Sequence, residues 1–109
     1  MTVERLLTID GFQKVALPRP DREISGGYCG DLLSWVMGRA CADSAWITIM
    51  SNVNVIAVAT LADISCVIFA EGVIPDAELV SLAERKEINL VSTELSTYEC
   101  AVALGKLLK

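Results

Sequence analysis

The chain has 109 residues and a mass of 11.7 kDa, room for one core of ordinary size and no second one. Hydrophobic residues make up 53% and charged residues 21%, enough apolar surface to offset the entropy of ordering, which excludes intrinsic disorder. Nine basic against 14 acidic residues, net −5, argue against nucleic acid as a partner; the absence of histidine removes imidazole acid–base chemistry, Ser–His and Cys–His pairs, and zinc sites that need a nitrogen ligand.

Thr2 is a good helix cap, and Val3, Leu6 and Leu7 recur at helical spacing until Gly11, which predicts a short first helix. Residues 12–17 alternate loosely, and Pro18 and Pro20 impose an extended turn. Arg22, Glu23, Ile24 and Ser25 then read as a short strand that Gly26 and Gly27 end. Asp31 is placed to cap a helix over 32–40, whose apolar stripe runs through Leu32, Val36 and Ala40, joined by Leu33 and Met37. The run AWITIM, 45–50, has the composition and length of a buried strand. Residues 53–62 are rich in β-branched side chains, yet Asn52 as a cap and the length of the segment favour a helix. Residues 65–70 form a second continuous apolar strand, as expected when helices cover both sheet faces, and Glu71 and Gly72 close it. Pro75 and Asp76 open an amphipathic helix over 77–87, with Leu79, Leu82 and Ala83 on one face and Glu78, Glu84 and Lys86 on the other. A third strand follows over 88–92, and Ser96-Thr97-Tyr98-Glu99 is a capping box that starts a last helix running to about Leu108.

From Ala45 onward strand and helix alternate, which predicts an α/β fold: a three-layer α/β/α sandwich around a mainly parallel sheet, with residues 1–109 as a single domain. Strand order stays open, as does whether segments 12–17 and 22–25 join the sheet. Residues 44–62 carry no charge and approach the length of a membrane span. Thr48, Ser51, Asn52, Asn54 and Thr60 interrupt the run, so it reads as a buried strand and helix. No export signal is visible in the first ten residues, and the cysteines, Cys29, Cys41, Cys66 and Cys100, contain no C-x-x-C pair. They read as buried thiols in a reducing cytoplasm, with no cofactor and no metal. Four thiolates from distant positions suffice for an iron–sulfur cluster, but the spacing gives no sign of one.

In open parallel sheets ligands lie outside the carboxyl ends of the strands. The expected turns there supply Ser25, Gly26 and Gly27, then Ser51 and Asn52, then Glu71 and Gly72, then Ser92 and Thr93 with Glu94. These nine residues from Ser25 to Thr93 are the candidate ligand-binding set, offering hydroxyls, carboxylates and exposed backbone N–H groups. Each also has a local structural job. The glycine pair serves turn geometry alone or turn plus ligand contact, Asp31 and Asn52 serve as helix caps, and Tyr28, Trp35 and Trp46 as core or interface. Gly-Gly-x-x-Gly lacks the P-loop lysine and the spacing of a dinucleotide fingerprint. No base stands in an evident pair with a nucleophile, so no catalytic residue is assigned; an enzyme would have to use Asp31, Glu71 or Glu94 as its base.

The segment Asp21-Arg22-Glu23-Ile24-Ser25-Gly26-Gly27, followed by Tyr28-Cys29-Gly30-Asp31-Leu32-Leu33, resembles the Asp-Arg-Thr-Gly-Gly signature of the DRTGG domain family. Asp21, Arg22, Gly26 and Gly27 are kept, with two extra positions before Ser25 and serine where the name has threonine. The resemblance runs to about Leu108, and the segment after the signature looks like stand-alone members of the family in anaerobic bacteria. It implies a regulatory role without catalysis, because such domains resemble the amino-terminal domain of HPr kinase/phosphorylase and occur beside CBS domains in regulated pyrophosphatases. The expectation is a non-enzymatic ligand-sensing module, homodimeric, taking a nucleotide or another small phosphorylated or anionic ligand, with no nucleic-acid or membrane partner. The alternative is an accessory protein of a hydrogenase, redox or serine-kinase system that acts through a partner protein.

Overall fold

Apolar β-branched runs form the middle of the sheet. In the computed structural model, which describes residues 1–108, β3 (Ser44–Thr48) and β4 (Cys66–Phe69) are buried along their whole length. Next to β4 lies β5 (Asn89–Ser92), buried except at Ser92. Two less buried strands complete the sheet: β1 (Gln13–Ala16), which buries Ala16, and β2 (Gly26–Cys29), which buries none of its residues. The order is β1-β5-β4-β3-β2. Strands β2 to β5 are mutually parallel, and β1 runs antiparallel to β5.

The helices are α1 (Val3–Leu6), α2 (Leu33–Arg39), α3 (Asn54–Leu61), α4 (Ala77–Arg85) and α5 (Thr97–Leu107). Alternation along the strands sorts the core into two layers. Trp46, Val67, Phe69 and Leu90 meet Val36 of α2, Val55, Ile56 and Ala59 of α3, and Leu79 and Ala83 of α4. On the other face Ala45, Ile47, Cys66, Ile68 and Val91 meet Val3 and Leu6 of α1 and Cys100 and Leu104 of α5. The fold is therefore an α/β/α sandwich on a mostly parallel sheet. The crossovers through α2, α3 and α4 each advance one strand on one face. Helix α5 leaves β5 on the opposite face and returns across the sheet to β2 and β3.

The edge of the sheet at the amino ends of its parallel strands is held by polar side chains. Asp43, Asp63 and Glu87, each placed before one of β3, β4 and β5, adopt left-handed backbone with φ of 65°, 57° and 59°. Arg22 ties two of these turns together: it donates to Asp43 Oδ1 at 3.0 Å and to Asp63 Oδ1 and O at 2.8 Å each. Burial alone would pull the Arg22 pKa down, but the bonds to Asp43 and Asp63 outweigh it and hold the pKa above the ordinary value. Asn89, fully buried, accepts from Arg19 N at 2.9 Å and donates to Arg19 O at 2.7 Å and Ser65 O at 3.0 Å, pinning the 17–22 loop to the sheet.

Four expectations are corrected. The first helix stops at Leu6, and Gly11 takes φ +97° in the turn beyond it. Segment 22–25 makes only an isolated bridge, Thr2 to Glu23, while Gly26 and Gly27 begin a strand instead of ending one. Asp31 does not cap α2: its Oδ1 accepts from Thr48 Oγ1 at 2.7 Å and Ile49 N at 2.9 Å, fastening the end of β2 to the end of β3. Cys66 and Cys100 are buried thiols as expected, but Cys29 and Cys41 are exposed. Among the described residues no helix is long and apolar enough to cross a membrane.

Candidate functional site

Adjacent parallel strands whose following helices go to opposite faces leave a crevice between their loops. In this sheet that divergence falls between β4 and β5. The chain leaving β4 turns to α4 on one face, and the chain leaving β5 turns to α5 on the other. The crevice is lined by Gly72, Val73, Ile74, Ser92, Thr93 and Glu94, with Gln13 from the antiparallel neighbour.

The two loops are stitched to each other. Glu71 N donates to Leu95 O at 2.8 Å and Gly72 N to Thr93 O at 3.0 Å. Both residues have positive φ, 61° at Glu71 and 74° at Gly72, the conformation that turns these amides toward the β5 loop. A Cβ on Gly72 would lie 2.7 Å from Glu94 Oε2, so a carboxylate occupies the space above this glycine. Glu71 Oε2 accepts from Thr97 N at 2.8 Å and satisfies one of the free N–H groups at the start of α5. The capping box satisfies two more: Ser96 Oγ accepts from Glu99 N and Glu99 Oε1 from Ser96 N, each at 3.1 Å. The bonds from Ser96, backbone first and then side chain, lower the Glu99 pKa. Thr93 Oγ1 accepts from Leu95 N at 3.2 Å, and Thr93 is buried.

The structure thus brings Glu71, Gly72, Ser92 and Thr93 together. Ser51 and Asn52 lie one strand over, in the loop between β3 and α3, where Asn52 Oδ1 accepts from Asn54 N at 2.9 Å. Ser25, Gly26 and Gly27 lie at the opposite edge: Ser25 N donates to Asp43 O, and Gly26 and Gly27 pair with Ser44 and Ala45 at the start of β3. Their expected place at the carboxyl ends of the strands is corrected accordingly. Gly27 has a packing reason for its missing side chain, because a Cβ there would lie 2.9 Å from Leu104 Cδ2 of α5. Gln13 was not among the candidates; its place follows from the antiparallel pairing of Gln13 with Ser92, which no local pattern announces.

Size and charge bound what the crevice can do. Its free volume is about 30 Å³, enough for a water molecule and far below the roughly 300 Å³ of an enclosing ligand pocket. The loops at this edge of the sheet carry Asp31, Glu71, Asp76 and Glu94 and no lysine or arginine. A bare phosphate there meets only backbone and hydroxyl donors against like charge. Among the described residues no group of three or more His, Cys, Asp and Glu is placed to hold a metal. Burial first, then the neighbouring Cys100, pushes the Cys66 thiol up to about 12; burial first, then Cys29, pushes Cys100 up to about 12.

Comparison with known families settles the relationship. The DRTGG domain matches residues 36–107, more than half of the chain. The chain belongs to the DRTGG domain family. The matched segment begins in α2 and ends with α5, so it contains both sides of the β4/β5 crevice and lies outside the Asp21–Gly27 segment that echoes the name-giving signature. Among solved structures the DRTGG fold is matched by the CBS and DRTGG domains of the regulatory region of Clostridium perfringens pyrophosphatase, complexed with its activator, diadenosine tetraphosphate. The TM-score is 0.71 at 14% identity, over 94% of this chain and 45% of that one. The chain thus spans less than half of that regulatory region, and the likeness is one of fold. No curated protein matches the sequence.

Proposed function

We propose that residues 1–109 form one DRTGG-like regulatory module that does no chemistry of its own, works as a homodimer, and senses a nucleotide or another small anionic ligand at the β4/β5 crevice. The observation that carries this reading is the divergence of α4 and α5 to opposite faces, which leaves Glu71, Gly72, Ser92 and Thr93 at one opening with Ser51 and Asn52 on the next loop. Ser25, Gly26 and Gly27 drop out of the ligand set because they lie at the far edge. Family membership and the likeness to a regulatory region complexed with a nucleotide activator support the regulatory role.

The dimensions refine the ligand's mode of binding. A crevice of about 30 Å³ admits one small group, so the remainder of a nucleotide lies across the loops and is covered by a second surface. The local surplus of carboxylates favours a nucleotide that arrives as its Mg²⁺ complex, with its charge partly neutralised.

A thermal-shift screen of nucleotides with Mg²⁺, and with EDTA in its place, tests the reading. The expected result is a rise in melting temperature with a Mg²⁺–nucleotide that is lost in Ser92→Val, a variant that fills the crevice mouth. A shift unchanged in Ser92→Val would move the ligand elsewhere. No shift with any nucleotide would remove the nucleotide from the proposal.

A further inference from the structure

The loop that leads into α4 is fixed on both sides of Ile74. Before it, Glu71 N and Gly72 N bond to the β5 loop, and Val73 N donates to Ala70 O at 3.2 Å. After it, Pro75 is buried and restricts the residue before it to extended backbone, and Asp76 caps the helix by accepting from Leu79 N at 2.9 Å. Ile74 sits inside this ordered loop and still turns its side chain to water: at 79% it is the most exposed of the large apolar residues described. It lines the crevice together with Gln13 and Ser92. On the neighbouring β3–α3 loop Ile49 and Val53, placed on either side of Ser51 and Asn52, are 44% and 42% exposed. Three exposed aliphatic side chains from two adjacent loops thus stand beside a small polar opening.

Charge at this end of the sheet decides which part of a ligand meets these groups. Asp31, Glu71, Asp76 and Glu94 stand on the loops, and the first three are held there by their bonds to backbone or hydroxyl donors. Lys14 is the cation nearest in sequence to a residue of the crevice, and it serves the other face of the sheet. Gln13 pairs with Ser92 and Lys14 with Val91, whose side chain packs toward α5, and successive residues of a strand alternate faces. A phosphate at the crevice therefore faces fixed carboxylates with no cation to offset them, whereas an uncharged heterocycle and its sugar meet no such penalty. Aliphatic side chains cover the face of a planar base and remove it from water. The amide of Gln13 and the hydroxyl of Ser92 both donate and accept, which suits a ribose hydroxyl, and an opening of about 30 Å³ holds a group of that size.

We infer that the crevice recognises a nucleotide by its nucleoside end. The base lies against Ile74, with Val53 and Ile49 on the next loop beside it, and a ribose hydroxyl enters between Gln13 and Ser92. The phosphates extend into solvent, where Mg²⁺ and not the protein offsets their charge. The inference rests on the nucleotide reading above and names the half of the ligand that is recognised. Added phosphates then handicap binding when Mg²⁺ is absent and matter little when it is present. The module responds to a nucleoside and to the Mg²⁺ complexes of its phosphate esters as one class of ligand.

Calorimetric titration of the full chain with adenosine, guanosine, cytidine and uridine, each beside its monophosphate and triphosphate, tests it at low salt in EDTA and again with Mg²⁺. The expected result in EDTA is a nucleoside that binds at least as tightly as its own esters, with a loss of roughly twofold or more for each added phosphate. Mg²⁺ should narrow that gap, and so should salt of about 0.5 M. Ile74→Ser should weaken nucleoside and nucleotide alike by roughly tenfold, and the exposure of Ile74 lets the fold accept the change, as an unaltered circular dichroism spectrum will show. Glu94→Gln should raise the affinity of the triphosphate relative to the nucleoside in EDTA. Binding that strengthens with phosphate number in EDTA, or that is indifferent to Ile74→Ser, overturns this inference and leaves the nucleotide reading standing. No binding of any of these nucleosides or nucleotides overturns both together.

Discussion

Gly27 separates two explanations of a glycine pair: close approach by a ligand, or close approach by the protein's own helix. A methyl at position 27 would lie 2.9 Å from Leu104 Cδ2 and 3.7 Å from Ala45 O, where carbon atoms in contact settle at about 3.5–4.0 Å. Leu104 is 3% exposed, yet it borders the α5 groove and has somewhere to yield, so the overpacking cost belongs in the lower half of the usual range, about 1.5 kcal/mol. Replacing glycine within a strand returns roughly 0.5–1 kcal/mol, which leaves Gly27→Ala destabilising by about 1 kcal/mol. Leu104→Ala alone should cost about 2–3 kcal/mol, since a cavity that opens to a groove collapses more easily than a sealed one. With Leu104 already truncated, Gly27→Ala should become stabilising by about 0.5 kcal/mol, a coupling of roughly 1.5 kcal/mol. Urea unfolding of all four proteins, at a concentration low enough to keep the chain monomeric, reads the cycle. An additive cycle would refute the packing account, and the glycine would then need a ligand to explain it.

The remaining predictions concern the polar ties and the thiols. Asn89→Ala should lower stability by about 3 kcal/mol, because it strands the Ser65 carbonyl in the core and frees the 17–22 loop; a loss below about 0.5 kcal/mol in denaturant unfolding would contradict the role of Asn89 as the loop's anchor. Glu99 titrates below its ordinary value in the fold, so its contribution is fully present above the ordinary value and is lost as pH falls from there through the lower folded value. Glu99→Gln should lower stability slightly at neutral pH and flatten the acid side of the stability–pH curve, as melting temperatures in a pH series will show. Thiol labelling of the native protein should modify Cys29 and Cys41 and spare Cys66 and Cys100 until the chain unfolds, with mass spectrometry of the digested product as the readout. Partial burial and the Asp31 carboxylate raise the Cys29 thiol, so its labelling should accelerate at higher pH than that of a cysteine in an unstructured peptide.

Much of the fold could be read from residue 44 onward because local and tertiary preferences agree there. AWITIM, the apolar run over 65–70, the Asp76 cap and the Ser96–Glu99 capping box each announce an element, and each element appears within a residue or two of its expected limits. Helix α3 came through in spite of its β-branched residues because Asn52 and the length of the segment outweighed them. The first third was harder. Glycine reads as a stop, so Gly26 and Gly27 were placed after a strand, whereas an edge strand under α5 needs small residues where Leu104 presses down. Tyr28 and Cys29 were the available signal, being better strand formers than the pair before them. Asp31 looks like a cap because aspartate commonly is one; its partner, Thr48, lies across a strand pair that sequence order does not reveal.

The candidate site was half legible for the same reason. Glu71, Gly72, Ser92 and Thr93 follow directly from strand ends, and the sheet brings them to one crevice. Gln13 reaches that crevice through a long-range antiparallel pairing, and Ser25, Gly26 and Gly27 leave it because the glycines open a strand instead of closing one, which puts all three at the amino ends of the parallel strands. That misplacement carries a physical lesson about the glycine-rich segment. Its freedom from side chains serves the α5 contact on one face, where Leu104 lies over Gly27. The crevice at the carboxyl ends of β4 and β5 is acidic and small, and its two loops are bonded to each other through their backbones. The glycine pair and the crevice are connected by α5, which starts beside the crevice and ends over β2. A ligand that displaced the Glu71 bond to Thr97 would loosen the first turn of α5. Glu71→Gln keeps an acceptor for Thr97 N and removes the negative charge beside the start of α5, so it should lower stability by roughly 0.5 kcal/mol, which urea unfolding will measure.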